Sequence, residues 1–175
     1  MSYNLQDIFN LVLNHIKAEE RKEPLKAIER YGNKGVGLEG WFKVETVRIL
    51  NNAGNRGIEV KEIHGRGPDL KLNDGQRIEL KATTDFNSRY ISEGLAYDDC
   101  PCLFLVCISE TDKKMINEDA IREKLRKSCS SGIFGKPSKN KIDMDVEIID
   151  VKKLFPGERW FLGFINRKEG VSTPT

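Results

Sequence analysis

Apolar residues recur along the chain with two periods, one in the first third and another after it. Leu5, Ile8, Phe9, Val12 and Ile16 keep helical spacing. The charged stretch KAEERKEP follows, and Pro24 permits a fresh start for a second helix over LKAIERYG, ended by Gly32. These two helices are expected either to cap the core or to supply a dimer face. A third helix is predicted over GVGLEGWFKVETVRILNNAG, 35–54. Glycines sit at both its ends, and Leu38, Trp41, Phe42 and Ile49 fall in one sector at about 100° per residue.

Beyond residue 54 the period becomes two. GIEVKEI is a strand candidate. Leu70 and Leu72 alternate with Asp69 and Lys71, and Ile78 and Leu80 with Glu79 and Lys81, so both arms read as strands with one buried face. Asn73-Asp74-Gly75 between them is a turn signal, because Gly tolerates positive φ and Asn and Asp support tight turns. A hairpin is predicted. SRYISEGLAY is compatible with a helix, and PCLFLVCIS reads as a strand buried on both faces. NEDAIREKLRKS reads as a helix opened by Asn117, with acids in its first turn and bases in its last. DMDVEIIDV and RWFLGFIN are strand candidates, and KEGVSTPT is a tail expected to fray.

Length and composition fit one domain over 1–175: the chain has 175 residues and 38% hydrophobic content, enough for a single ordinary core. Its parts are a helical segment over 1–34, a core over 35–109, and a helix with further strands over 110–170. No run approaches the roughly 20 apolar residues that cross a bilayer, and MSYNLQDIFN lacks the basic-then-apolar plan of a signal peptide. A soluble cytoplasmic protein without a membrane partner is expected. Cys100, Cys102, Cys107 and Cys129 do not fall into a zinc spacing and are expected as buried or free thiols. There is no P-loop, no G-x-G-x-x-G opening a helix after a strand and no G-x-S-x-G elbow.

Chemistry concentrates on the hairpin. Residues directly opposite in an antiparallel pair share a face, so the four apolar residues lie together only if the loop has an odd number of residues. A three-residue loop pairs Asp69 with Glu79, and a five-residue loop pairs Asp69 with Lys81. Either way Asp69, Glu79 and Lys81 share the face opposite the apolar one, with cross-strand neighbours about 5 Å apart at Cβ. Such a cluster can bind a hard divalent cation, leaving the lysine to act on a bound water or a phosphoryl oxygen. The alternative is a solvated face with a cross-strand ion pair.

Pro68-Asp69, nine residues, then Glu79-Leu80-Lys81 resembles the motif of the PD-(D/E)xK nuclease superfamily, which includes many restriction endonucleases, archaeal Holliday-junction resolvases and repair nucleases. The likeness covers about Gly35 to Ser109 and extends to the order of elements. The superfamily also places a Glu on a helix upstream of the hairpin. Here Glu45 falls inside the apolar sector of the third helix, and Glu39 lies on its flank in the first turn. The resemblance leaves both open, and for Glu45 a partner such as Arg48 is the structural alternative.

The resemblance implies an α/β restriction endonuclease-like core, a central mixed β-sheet flanked by α-helices, that cuts DNA with Mg²⁺ or Mn²⁺. Asp69, Glu79 and the backbone carbonyl of Leu80 would hold the metal. Lys81 would orient or help deprotonate the attacking water, and Glu39 or Glu45 would be a third carboxylate. The expected partner is nucleic acid, double-stranded DNA first, with a homodimer as an option.

Net charge is only +2, yet Arg122 to Lys141 holds seven Lys or Arg and one acid, Glu123. The Ser-, Gly- and Lys-rich end of that stretch brings Lys136, Lys139 and Lys141 forward as phosphate contacts, against the alternative of ordinary solubilising lysines. Arg66 is a further phosphate candidate, and His64 a weaker one on the substrate side. Two other classes stay in view: a non-catalytic nucleic-acid-binding or assembly protein on the same fold, and a nuclease acting on RNA or branched DNA, since the motif encodes metal chemistry and no base readout.

Overall fold

The computed structural model describes residues 4–18, 21–31, 36–54, 58, 60–62, 68–98, 100–108, 117–130 and 145–168. The elements run α1 (Leu5–Ile16), α2 (Lys22–Tyr31), α3 (Val36–Asn52), β1 (Val60–Glu62), β2 (Leu70–Leu72), β3 (Arg77–Thr83), α4 (Ser88–Asp98), β4 (Cys102–Cys107), α5 (Glu118–Ser130), β5 (Val146–Lys153) and β6 (Trp160–Arg167). The strands form one sheet in the order β1-β2-β3-β4-β6-β5. Among the described residues only β3 and β4 pair in parallel, and α4 makes the crossover between them, as parallel neighbours require. The chain is thus an α/β protein with a mixed sheet flanked by helices.

Each face of the sheet carries its own core. Ile78, Leu80, Leu103, Leu105, Leu162 and Phe164 join a cluster with Phe9 and Val12 of α1, Leu25 of α2 and Phe42 and Leu50 of α3. Cys102, Phe104, Val106, Phe161 and Ile165 join Ile91 and Leu95 of α4 and Ile121 and Leu125 of α5 on the other face. Every residue of β4 is buried, the consequence of helices on both sides. The apolar stripe of α1 is spent inward, since Ile8, Phe9, Val12 and Ile16 are all buried, so α1 caps the core. Asn4 opens α1 by accepting the Gln6 N–H at 2.9 Å, and Asn117 opens α5 by accepting that of Ala120 at 2.7 Å. The second helix begins at Lys22, before Pro24, because proline in a first turn removes no intrahelical bond.

Two local devices keep the sheet in register. In β5 the pairing with β6 shifts between Ile148 and Asp150. This bulge resets the alternation, so that Val146, Ile148 and Val151 all pack on the α4/α5 face while Ile149 packs on the other. At the centre, Gly163 of β6 lies opposite Phe104 of β4. A Cβ there would collide with the ring at Cζ, so the glycine is what lets the ring lie across the strand.

No helix among the described residues is long and apolar enough to cross a membrane. All four cysteines are buried and free. The tail after Lys168, the segment holding Lys136, Lys139 and Lys141, and the two residues His64 and Arg66 lie outside the described residues.

Candidate active site

The hairpin closes through the shorter of the two loops. Leu70 pairs with Ile78 and Lys71 with Arg77, a register that sets Asp69 opposite Glu79. Leu72 accepts the Gly75 N–H at 3.0 Å, Leu72 donates to the Gln76 carbonyl at 2.8 Å, and Gly75 has φ +89. This is the three-residue arrangement in which a glycine takes the left-handed position after a turn.

Because β2 begins only at Leu70, β3 continues past it with that edge uncovered by any strand among the described residues. Asp69 fills the first place on this edge, where its Oδ2 accepts the Leu80 N–H at 3.0 Å. The N–H and C=O of a strand residue leave on the same side, so the Leu80 carbonyl also opens toward Asp69. Ile78, Leu80 and Ala82 are buried beneath α3 on one face, while Glu79 and Lys81 face the other way. Glu79 is only 4% exposed, and its Oε1 lies 2.5 Å from the Lys81 Nζ.

The first two turns of α3 complete the cluster from the opposite layer. Lys43 Nζ stands between two carboxylates, 2.6 Å from Asp69 Oδ1 and 2.8 Å from Glu39 Oε1. The Tyr90 hydroxyl of α4 donates to Glu39 Oε2, and Lys81 Nζ lies 5.3 Å from the centroid of the Tyr90 ring. Glu39 and Tyr90 thereby join the two helix layers past the uncovered edge of β3. Three carboxylates, two ammonium groups and one phenol converge there.

Electrostatics follow from this crowding. Burial pushes the Glu39 carboxyl up, but the hydrogen bonds from Lys43 and Tyr90 and the charges of Lys43 and Lys81 outweigh it, leaving the carboxyl below its usual range. For Lys43 and Lys81 burial pulls downward and the carboxylates win, so both ammonium groups are held above their ordinary pKa. Tyr90 is pushed up by burial first and by Glu39 second, which keeps it a donor. Cys102, in register with Glu79, is fully buried; burial and then the Glu79 charge raise its thiol well above the normal value.

Glu45 goes elsewhere. Its carboxylate meets Arg48 through Nε at 3.1 Å and Nη2 at 2.8 Å, Arg21 Nε at 3.2 Å and His15 Nε2 at 3.1 Å. The Arg48 hydrogen bonds, opposed by burial and helped by the Arg21 charge, hold this carboxyl low. Of the two helix glutamates left open by the sequence, Glu39 is the one brought to the hairpin. Glu45 takes the structural alternative, pairing with Arg48 among others.

Sequence reasoning names Asp69, Glu79, Lys81 and Glu39 and misses Lys43 and Tyr90. Lys43 carries a signal, since it follows Glu39 by one helical turn. Nothing local distinguishes Tyr90. Among the described residues no group of three or more His, Cys, Asp or Glu is arranged to hold a metal ion, the carboxylates here being turned onto lysines. The donor chemistry nevertheless fits a hard cation: every candidate ligand atom is an oxygen, three of the groups are anionic, and the Lys43 ammonium already stands between two of them. No family model, curated protein or solved structure matches this chain.

Proposed function

We propose that this chain is a metal-dependent endonuclease that hydrolyses DNA phosphodiester bonds on a restriction endonuclease-like core of the PD-(D/E)xK type. One observation carries the reading: Asp69 and Glu79 stand opposite each other in the hairpin, with Lys81 beside Glu79 and the helix carboxylate of Glu39 one lysine away from Asp69. A merely solvated charged face would leave these groups in water. Instead Glu79 is buried, and the group draws side chains from three elements, α3, β3 and α4, and from the residue before β2.

In this reading Asp69, Glu79 and the Leu80 carbonyl hold Mg²⁺ or Mn²⁺, with Glu39 as the third carboxylate. The bound cation supplies Lewis acidity and a water of lowered pKa. Lys81, kept charged by Glu79, orients the attacking water and offsets negative charge on the phosphoryl oxygens. Tyr90 fixes Glu39 by its hydrogen bond and holds the Lys81 ammonium over its ring. The buried Cys102 keeps its proton beneath Glu79 and adds no charge.

The test is incubation of supercoiled, linear, branched and single-stranded DNA, and of RNA, with and without Mg²⁺ or Mn²⁺, beside Asp69→Asn. Metal-dependent cutting of duplex DNA that vanishes in the variant is the expected result. Cutting confined to branched DNA or RNA would move the substrate class. Binding of nucleic acid with no cutting of any of these substrates would leave a non-catalytic binding protein.

A further inference from the structure

Lys43 has no part in the reaction outlined above, yet it sits at the centre of the ligand set. Its Nζ is 2.6 Å from Asp69 Oδ1 and 2.8 Å from Glu39 Oε1, so one ammonium bridges carboxylates from a helix and from the hairpin. Lys81 by contrast forms its ion pair with Glu79, the neighbour two residues back on its own strand. A divalent cation bound to Asp69 and Glu39 would need the oxygens that Lys43 now engages, and two cations cannot share them without strong repulsion at this range.

We propose that Lys43 is the resident counter-ion of the site, which holds Asp69 and Glu39 in place without metal and surrenders those oxygens when a divalent cation binds. This rests on the metal-dependent reading above and adds how that site is regulated: metal affinity is set by competition with a tethered ammonium. The charges make the direction plain. Asp69, Glu39 and Glu79 carry three negative charges, and Lys43 and Lys81 return two positive ones. Without Lys43 the cluster is more negative by one charge and attracts a dication more strongly, while its carboxylates repel one another. Lys43 stems from α3, a helix packed along the core, so its ammonium can swing out toward solvent without moving the backbone: the side chain is 28% exposed.

The experiment is calorimetric titration of Mn²⁺ into wild type, Lys43→Met, Lys43→Gln and, as a remote charge control, Lys127→Met, whose lysine pairs with the exposed Glu123 one turn back on α5. Thermal melting of each protein with and without Mn²⁺ accompanies it. Both Lys43 variants should bind Mn²⁺ about tenfold more tightly than wild type. They should melt lower than wild type without metal and gain more from it, with Lys127→Met unchanged in both respects. If Lys43→Met fails to fold without metal, recovery of a melting transition in Mn²⁺ gives the same answer, and Lys43→Gln gives it independently. Equal or weaker Mn²⁺ binding by folded Lys43 variants, with wild type binding normally, overturns the exchange and leaves the nuclease reading standing. Absence of Mn²⁺ binding in wild type and variants alike overturns both.

Discussion

Glu39 and Glu45 stand on one helix, six residues apart, and both are drawn out of water, yet their surroundings are opposites. Around Glu39 carboxylates outnumber cations: Asp69 and Glu79 join it against Lys43 and Lys81, with a phenol as donor. Around Glu45 the cations are in excess, since Arg48 and Arg21 both converge on one carboxylate, with the His15 ring beside them. A carboxylate satisfied by two guanidinium groups has no oxygen to offer a metal. A cluster with surplus negative charge, neutralised by flexible lysines, does. Burial of a glutamate therefore says little by itself, and the balance of charge around it separates a fastening from a site.

This contrast is most open to test at the hairpin. Asp69→Ala should abolish Mn²⁺ binding and cut cleavage by roughly 10³-fold or more, as loss of an anionic ligand costs several kcal/mol at the transition state. Calorimetry and a nicking assay on one preparation check this, and unchanged Mn²⁺ affinity would return the cluster to a charged surface. Lys81→Ala should instead keep or tighten metal binding while losing about 10²- to 10³-fold in cleavage rate, because an ammonium is no ligand and its role lies with the developing charge. Wild-type cutting by that variant would remove Lys81 from the mechanism.

The two glutamates should then fail differently. Glu39→Gln should lower metal-dependent cleavage by roughly 10- to 100-fold, with a smaller loss of melting temperature than Glu45→Gln. Glu45→Gln should leave cleavage alone and cost about 1–2 kcal/mol of stability, less than a fully buried pair because Arg48 is 41% exposed. Rate and melting temperature measured on both variants decide it, and the reverse order would exchange their roles.

The hairpin is legible in the sequence because period-two alternation and an Asn-Asp-Gly turn are local signals, and parity alone puts Asp69, Glu79 and Lys81 on one face. Parity allows a loop of three or five residues, and the observed three is fixed by Gly75 at positive φ. The choice between Glu39 and Glu45 is not legible. Both lie near the buried sector of α3, and what separates them is that β2 starts late, leaving an edge of β3 for the first turn of the helix to reach. Tyr90 is recruited by the same gap from the other layer, a tertiary relation without a local trace. The strands of the C-terminal part are readable, but the bulge in β5 is not, since Ile148 and Ile149 alone do not say which of them resets the alternation.

The mildest consequence appears in acid. Glu39 and Glu45 both have carboxyls held below the ordinary value of 4.5. Their stabilisation is present above that value and lost as pH falls through the lower, folded pKa. Melting temperature should therefore decline below about pH 4.5, and less steeply in Glu45→Gln than in wild type. Equal slopes would mean that the Arg48 and Arg21 contacts do not discriminate between the folded and unfolded carboxyl.

The bond from the Leu80 N–H to Asp69 bears on how a substrate complex could be trapped. An inactive protein for that purpose is usually made by truncating an acid to alanine, which here would also expose a main-chain donor on an uncovered strand edge, an invitation to pairing between molecules. Asparagine keeps an oxygen for that donor while losing the anionic ligand, so under the nuclease reading proposed above Asp69→Asn is the variant expected to hold a duplex uncut without assembling on itself.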